Sequence, residues 1–415
     1  MKHTNEKLWN KDYILIMLSS TGISFCNYFF FSTLPIYAQN ITGSVASAGL
    51  MTGVYTFAAL AIRPFSGIFA DKFGRTKLLI LGAILCVIAC FLYRYAAILL
   101  VLIVVRSLHG IGFGMHSTAG GAVAADVIPK SRMAEGIGYF GLYGTIASAV
   151  GPGIALAMIR NNTQAEFNRL FFVSSAICIV SLIINTMISY ERKCGVGPVI
   201  TDNKTESCEI HQKEALPKTL MGFEYAVFPL AAVLIILYFA QSSINSFLSL
   251  YALQQNFGNI GLYFTFNAIG LFLSRVFLGK LADRKDSNIL VIPGIIITAI
   301  CLALIPYTSS ALQLFILGFP MGIAIGAIGP TINTMMFQRC SAERRGTASA
   351  AYFSSIDLGF GIGGIALGFV AAAYNYHVVY WLSAVFALLS LACYIWLECI
   401  KMPMEKNNRE QQRIG

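Results

Sequence analysis

The sequence predicts an all-α integral membrane protein with twelve transmembrane helices, arranged as two pseudo-symmetric bundles of six. Three observations lead to this fold class. Hydrophobic residues make up 57% of the 415 residues and charged residues only 12%, whereas a soluble domain carries about 25% charged residues. The apolar residues fall into twelve runs of membrane-spanning length. The two halves of the chain also repeat one another at a nearly fixed offset.

Each run reaches about the 20 residues that a helix needs to cross the hydrocarbon core. Runs that exceed this length indicate helices that tilt or extend beyond the lipid. We expect no cleavable signal peptide, because the polar segment 1–12 leads directly into a spanning run and has no small-residue cleavage site. The predicted spans are 12–36, 46–69, 77–94, 97–127, 133–159, 169–189, 223–251, 258–279, 287–306, 310–338, 346–373 and 376–400.

The distribution of Lys and Arg sets the orientation of the spans. With the N-terminus in the cytoplasm, the inner loops and tails carry 23 of the 29 Lys and Arg residues, and the outer loops carry three. We therefore expect a multi-pass plasma-membrane protein with both termini cytoplasmic, and the short loops favour a bacterial source. This bias accounts for the net charge of +10, so the lipid bilayer, and no nucleic acid, is the expected partner.

The one long connection, 190–222, is polar, mixed in charge and poor in aromatic residues. Such a composition is typical of a flexible linker. The sequence thus predicts an N-terminal six-helix bundle at 1–189, a cytoplasmic linker at 190–222, a C-terminal six-helix bundle at 223–400 and a cytoplasmic tail at 401–415.

The second half of the chain repeats the first. The segment RPFSGIFAD at 63–71 aligns with RVFLGKLAD at 275–283, an offset of 212 residues. The tetrapeptide GIAL at 153–156 recurs at 364–367, an offset of 211. Parallel repeats of six spans indicate two bundles that surround a central site and rock about it.

The loop after the second span carries a dense motif, GIFADKFGRTK at 67–77. It resembles the G-x-x-x-D-x-x-G-R-x-K signature of the major facilitator superfamily, and with the twelve spans and the repeat the resemblance covers essentially the whole chain. The resemblance implies the major facilitator fold and transport by alternating access. The second copy of the motif lacks the Gly-Arg pair. The residues that carry the two copies are Gly67, Asp71, Gly74, Arg75, Lys77, Gly279 and Asp283.

The motif also has physical meaning without the family name. Gly67 lets its helix approach a neighbour closely, and Gly74 permits a tight turn. Asp71 lies at the C-terminal end of its helix, where the helix dipole disfavours an anion, so it needs a neighbouring helix N-terminus or an Arg. Arg75 and Lys77 hold the turn at the anionic inner leaflet.

We therefore predict that the 67–77 motif is a gating latch at the cytoplasmic face. Asp126, which follows the fourth span, is expected to join the same charge cluster. A turn that serves only to set the topology of the spans is the alternative.

The fourth span, which includes RSLHGIGFGMHS at 106–117, is the richest in ionisable residues. Burying such a group costs about 3 kcal/mol or more, so its presence points to function. Arg106 and the glycines after it resemble the family's R-x-x-x-G-x-G element, and the resemblance implies that this helix lines the central cavity. His109 and His116 fall on the face of Arg106 and titrate near cellular pH. We expect this face to contact substrate or couple protons; a salt-bridged packing Arg and satisfied core histidines are the alternatives.

Asp357 is the sole acid far inside the second half of the chain. In the major facilitator fold that the resemblance implies, the second and eleventh helices face each other across the two halves, so that an Arg63–Asp357 pair is possible. Such a pair would be a proton site or a link that depends on the conformational state. A static ion pair between the halves is equally compatible with the sequence.

The fifth span, GIGYFGLYGTIASAVGPGIAL at 136–156, resembles the G-x8-G-x3-G-P-x-x-G-G element of drug and metabolite antiporters. Gly138, Gly151 and Pro152 match it, while Ala or Leu replaces three of its glycines. Pro152 removes a helix hydrogen bond, and the adjacent Gly151 and Gly153 permit bending and close packing against the eighth helix. The element favours proton-coupled export; an ordinary kinked packing helix is the alternative.

Polar residues on other spans are candidates for a cavity wall, although helix contacts would explain each of them too. They are Asn27, Gln241, Asn245, Asn267 and Asn333. With the aromatic run at 28–31, they would suit an amphipathic solute better than a polyanion. The sequence has no phosphate loop, nucleophile triad or metal-ligand cluster, and its ten cysteines form no CxxC pair. We thus expect buried structural thiols, no enzymatic activity, no cofactor and no metal.

The sequence therefore predicts a monomeric secondary active transporter that exports an amphipathic drug or small metabolite in exchange for protons. One alternative is proton-coupled uptake of a small solute such as a sugar or an organic anion. An alternative of another class is a transporter-like receptor or scaffold, against which the complete motif at 67–77 argues.

Overall fold

The computed structural model describes residues 8–129, 132, 136, 139–191, 219–220, 223–282, 287–339 and 345–397. Most of the predicted linker and all of the predicted tail lie outside this part of the chain. Twelve α-helices of 17 to 32 residues account for nearly all the described residues. They are α1 Lys11–Thr42, α2 Ala46–Phe73, α3 Arg75–Leu92, α4 Leu99–Val127, α5 Leu142–Met158, α6 Gln164–Thr186, α7 Phe228–Gln254, α8 Gly261–Ala282, α9 Asn288–Leu304, α10 Ala311–Arg339, α11 Arg345–Ala373 and α12 Tyr376–Tyr394.

Short elements join some of the helices. A small antiparallel hairpin precedes α7, in which β1 Thr219–Leu220 pairs with β2 Phe223–Glu224. Single 3-10 turns follow α3, precede α7 and follow α9, at Tyr93–Tyr95, Tyr225–Val227 and Ile305–Tyr307.

The lengths and composition of the helices fit a protein that spans a membrane. Within the described residues, nine helices are long and apolar enough to cross a bilayer, and two apolar segments, Leu142–Met158 and Gly261–Ser274, are shorter. The remaining helix, α2, has 28 residues. The predicted all-α fold class with twelve spans is therefore confirmed.

Some helix edges differ from the predicted ones because local capping decides them. α6 begins at Gln164 rather than at 169, since Thr163 and Glu166 form a capping box that satisfies free N–H groups at its start. α1 continues to Thr42, where Gly43 adopts a left-handed conformation (φ +67°) and ends the helix. The length of a hydrophobic run gives no information about either capping signal.

The packing of the helices repeats between the two halves of the chain. In the first half, α2 and α3 pack on α4, and α1 packs on α5 and α6. The equivalent contacts recur six helices later, with α8 and α9 on α10 and with α7 on α11 and α12. The internal sequence repeat thus corresponds to two bundles of similar construction.

Aromatic and small side chains fill each bundle. In the first, Phe30, Tyr93 and Phe171 are buried, and the rings of Phe30 and Tyr93 have centroids 4.9 Å apart. Close crossing of α3 and α4 requires a glycine, because a Cβ on Gly82 would lie 2.7 Å from the backbone N of His116. Large apolar side chains cover the outside of the bundle, as expected of helices that face lipid.

The described cysteines are free thiols, and five of the six are buried. Those of the first bundle come together, with the Sγ atoms of Cys90 and Cys178 3.7 Å apart. This matches the prediction of buried structural thiols. No group of three His, Cys, Asp or Glu side chains suited to a metal ion occurs among the described residues. The buried cysteines are Cys26, Cys86, Cys90, Cys178 and Cys301, and the half-buried one is Cys393.

Candidate functional site

The candidate functional site lies at the interface between the two bundles. We call the end of the molecule at which α1 begins and α2 ends the tail face, which is the face predicted to be cytoplasmic, and the other end the opposite face. Two helix pairs carry most of the interbundle contacts, α2 with α11 and α5 with α8. Smaller contacts join α7 to α1 and α2.

Glycines bring α2 and α11 into backbone contact near the opposite face. A Cβ on Gly364 would meet the carbonyl O of Gly49 and the Cβ of Thr52, each at 3.1 Å. A Cβ on Gly49 would collide with the carbonyl O of Gly364. Ser246 on α7 donates a hydrogen bond of 2.7 Å to Thr52 Oγ1, and both side chains are buried. The bundles are thus tightly joined here, and we call these contacts the glycine seam.

The second pair, α5 with α8, is joined by the residues of the antiporter-like element. Gly153 and Gly261 lie backbone to backbone, and Thr265 Oγ1 donates to the carbonyl O of Ala149 at 2.9 Å. Pro152 is buried inside α5, and Gly151 packs against Tyr28 of α1. The predicted packing of this element against α8 is present, whereas Gly138 lies outside the described residues.

Deeper in the interface, Arg63 of α2 and Asp357 of α11 form an ion pair between the bundles. Arg63 Nε lies 2.8 Å from Asp357 Oδ2, and the two side chains are 19% and 15% exposed. Arg63 also contacts Ser117 Oγ at 3.5 Å and the ring of Phe353 at 5.9 Å. Counted along its helix, each residue lies about 15–18 Å from the tail-face end. The structure thus brings together the pair that the sequence allowed.

Arg106 of α4 is almost completely buried, at 1% exposure. Its Nε donates to the carbonyl O of Met51 at 3.0 Å, and its guanidinium lies 4.2 Å from the ring centroid of Tyr55 and 5.4 Å from that of Phe31. The described residues form no ion pair with it. Aromatic faces and a carbonyl therefore stabilise this cation in place of a carboxylate.

The two histidines of α4 lie inside the first bundle rather than between the bundles. His109 Nδ1 lies 3.5 Å from Arg106 Nη1 and 3.3 Å from Tyr93 OH. Because a guanidinium N–H can only donate, a hydrogen bond between these two atoms requires an unprotonated Nδ1. His109 Nε2 is buried and has no hydrogen-bond partner among the described residues. His116 Nε2 faces Ser19 Oγ at 3.3 Å, on the side of α1 and α6.

The predicted cavity residues have different surroundings. Gln241 Nε2 contacts Met321 Sδ at 3.3 Å, and Asn267 Nδ2 donates to the carbonyl O of Gly318 at 3.2 Å, so both contribute to helix packing. Asn245 is half-buried. Among the described residues, three buried amide Oδ1 atoms have no hydrogen-bond partner, and two of them belong to the predicted cavity residues Asn27 and Asn333. The third belongs to Asn185 of α6.

At the tail face, the turn after α2 is held by charged residues. Gly74 has φ +100°, a conformation that favours glycine. Arg75 is ion-paired with Asp126 at the end of α4, as the sequence predicted for that acid. Tyr190 OH donates to Asp126 Oδ2 at 3.0 Å. Desolvation, followed by the charges of Asp126 and Glu191, raises the pKa of Tyr190 above its ordinary value.

Other residues of the predicted latch are described only in part. Lys77 is exposed in the first turn of α3. Gly67 and Asp71 lie within α2 and Gly279 within α8, but the side chain of Asp71 and the whole of Asp283 lie outside the described part of the structure. The docking of Asp71 on another helix therefore stays a prediction.

Sequence reasoning missed two groups of residues that the structure places at the site. The first is the contact of Phe31 and Tyr55 with Arg106. Phe31 was expected only as part of an aromatic cavity wall, and helical periodicity on α4 alone does not reveal side chains supplied by α1 and α2. The second is Glu191, which accepts hydrogen bonds from the start of α3. An acid directly after the sixth span was a usable signal, but it falls in the segment interpreted as a linker.

Comparison with known proteins agrees with this architecture. The family model described as Major Facilitator Superfamily matches residues 16–202 and 230–413. The Multidrug resistance protein MdtG of Citrobacter koseri is 26% identical over 375 residues, covering 88% of each chain. MdtG of Escherichia coli strain K12 / DH10B is 26% identical over 402 residues, covering 94% of each. A crystal structure of the nucleoside transporter NupG superposes with a TM-score of 0.72 at 14% identity, over 94% of this chain and all of that one. The chain belongs to the Major Facilitator Superfamily and is a multi-pass membrane transporter.

Proposed function

We propose that the protein is a secondary active exporter, which moves an amphipathic drug or small metabolite out of the cell by alternating access and takes up protons in exchange. Relatives named multidrug resistance proteins support the direction of transport. The observation that carries the proposal is the Arg63–Asp357 ion pair, because it places a titratable group between the two bundles that must move.

Asp357 is the proton carrier in this proposal. Its carboxylate is partly exposed, so water can deliver a proton, and it is bound to Arg63 of the other bundle. Protonation removes the charge that Arg63 attracts, which weakens a contact made across the interface. A proton thereby changes the relative stability of two arrangements of the bundles, and a ligand can shift such an equilibrium only through a differential interaction of this kind.

The surroundings of the two histidines of α4 support this choice. His109 Nδ1 lies 3.5 Å from Arg106 Nη1, so protonating it would bring two cations together. His116 binds a serine of α1 within the first bundle. Neither ring contacts the second bundle in the described residues, whereas Asp357 contacts the first bundle directly.

The glycine seam and the predicted latch complete the proposed cycle. In the described structure, the bundles are joined near the opposite face. Export requires that this seam opens while the tail face closes, with the 67–77 turn docked against the start of α11. Arg106, held by aromatic rings near the seam, would keep α1, α2 and α4 together as one moving body.

One observation favours a second candidate, proton-coupled uptake of an organic anion. Three arginines, Arg63, Arg106 and Arg275, lie within the spans. Among the described residues, Asp357 is the single carboxylate in the middle of the spans. When Asp357 is protonated, Arg63 is free to hold an anion. Proton and solute would then bind to the same state and cross in the same direction, which is uptake down the proton gradient.

Transport in everted membrane vesicles distinguishes the two candidates. A panel of amphipathic dyes, including ethidium, is first screened for resistance and efflux in a host that lacks its own exporters. In energised everted vesicles, export predicts dye accumulation together with release of protons from the lumen. Solute and protons leaving the lumen together would establish uptake instead, and accumulation driven by sodium would contradict proton coupling.

A further inference from the structure

The start of α3 lacks the local signals that normally stabilise a helix N-terminus. Gly74 occupies the capping position and has no side chain to offer. The first turn contains Arg75 and Lys77 and no acid, so two cations lie at the positive end of the helix dipole. The first N–H groups of a helix have no partner within it. This helix therefore depends on an acceptor from elsewhere in the chain.

Glu191, just after α6, supplies that acceptor. Its Oε1 accepts from the backbone N of Arg75 at 2.6 Å and from that of Thr76 at 3.2 Å. A Cβ on Gly74 would lie 3.3 Å from Glu191 Oε2, so a larger residue would crowd the carboxylate. One carboxylate thus satisfies two free N–H groups from 116 residues away in the sequence.

Two further bonds fix the same short segment to the first bundle. The backbone N of Ser189 donates to Asp12 Oδ1, at the start of α1, at 2.9 Å. Tyr190 OH donates to Asp126 at the end of α4 and to Glu191 Oε1, at 3.0 and 3.3 Å. We call residues 189–191 the clasp. Its three consecutive residues join the tail-face ends of α1, α3 and α4.

We propose that Glu191 is a positioning residue for the gating latch: by capping α3 from the first residues of the linker, it holds the 67–77 turn in the conformation that must dock on the second bundle. This inference rests on the gating role given to that turn in the proposed function. The clasp also joins the chain to the first bundle as far as residue 191.

The clasp acts by preordering the turn. All of its contacts lie within the first bundle, so they persist as the bundles move and favour neither state directly. A turn that is already ordered loses less conformational entropy when it docks, and the docked state is then more populated. Without the carboxylate, docking would also have to order the turn.

The test replaces Glu191 by Gln in the full-length protein, which preserves shape and removes the charge. Glu166→Gln is the matched control, because Glu166 also accepts hydrogen bonds from backbone N–H groups at a helix start, but locally on α6 at the opposite face. Hydrogen–deuterium exchange reports on the first turn of α3. Since hydrogen bonds to a charged group are the strong ones, we expect exchange at Arg75 and Thr76 to rise about tenfold in Glu191→Gln. We expect no change there in Glu166→Gln.

Transport is measured by dye counterflow, an assay that needs no proton gradient. The dye is the member of the amphipathic panel that the wild type transports fastest. We expect Glu191→Gln to lower the maximal rate several-fold with an unchanged KM, and Glu191→Asp to restore part of it. Unchanged exchange at α3 would overturn the cap, and raised exchange with a wild-type rate would overturn the positioning role. Absence of proton coupling in the wild type would contradict the proposed function while leaving both results interpretable.

Discussion

A methyl group placed in the glycine seam should open the opposite face. At Gly49, a Cβ would meet the carbonyl O of Gly364, with Gly364 C and Gly368 Cα at 3.0 Å. These are backbone atoms, which cannot turn aside as the end of a side chain can. Gly49→Ala must therefore push α2 and α11 apart, and it does so only in the state where the seam is closed.

The expected size of the effect follows from the cost of overpacking. An added methyl group in a tightly packed region costs about 1–3 kcal/mol. Applied to one of two states, that cost shifts their equilibrium by about 5- to 150-fold, since 1.4 kcal/mol is tenfold. Gly121→Ala is the matched control, because it adds the same methyl group to a helical glycine whose Cβ would meet no atom within 4 Å.

The distance between the ends of α2 and α11 at the opposite face reports the shift. The distance between spin labels at Ser44 and Tyr374, both exposed, would be measured by pulsed electron paramagnetic resonance. Protein that lacks these two label sites serves as the blank. We expect Gly49→Ala to populate a longer distance and Gly121→Ala to retain the wild-type distribution. Identical distributions in the two variants would refute the view that the seam is a closed gate.

Four further substitutions test other parts of the account. Asp71→Asn should greatly reduce transport at normal membrane insertion, because the latch needs the anion; normal flux would leave the 67–77 turn a topogenic element. Arg106→Lys should lower flux about tenfold, since an ammonium does not reproduce the planar stacking on Tyr55; a wild-type rate would show that the point charge suffices. Replacing His109 or His116 by Gln should leave the pH profile of transport unchanged, and a flattened profile between about pH 5.5 and 7.5 would return the proton to that histidine.

The sequence predicted the features that depend on composition and repetition. Hydrophobic runs gave the twelve spans because the bilayer imposes a minimum length on each helix. The aligned segments at 63–71 and 275–283 predicted two similar bundles. The Arg63–Asp357 pair could also be predicted from the sequence, because an acid and a base inside facing spans have few possible partners.

Contacts between segments that are distant in the sequence could not be predicted in the same way. Helical periodicity correctly placed His109 near the face of Arg106, but it could not show that this face packs against α1 and α2 of the same bundle. Glu191 was missed because its partners are backbone N–H groups, which every residue has. The start of α3, Gly74 followed by cations, lacks a cap of its own. The sequence indicates that it requires a distant acceptor only when the missing cap is itself treated as a signal.

The central claim, that Asp357 carries the coupling proton, is tested most directly by Asp357→Asn in proteoliposomes with a pH-sensitive dye trapped inside. The account predicts that this variant, whose side chain stays neutral, retains dye counterflow but no longer accumulates dye against a gradient or moves protons when dye is added. The wild type should do all three. Proton movement and accumulation at wild-type rates in Asp357→Asn would contradict the account and place the proton on another group.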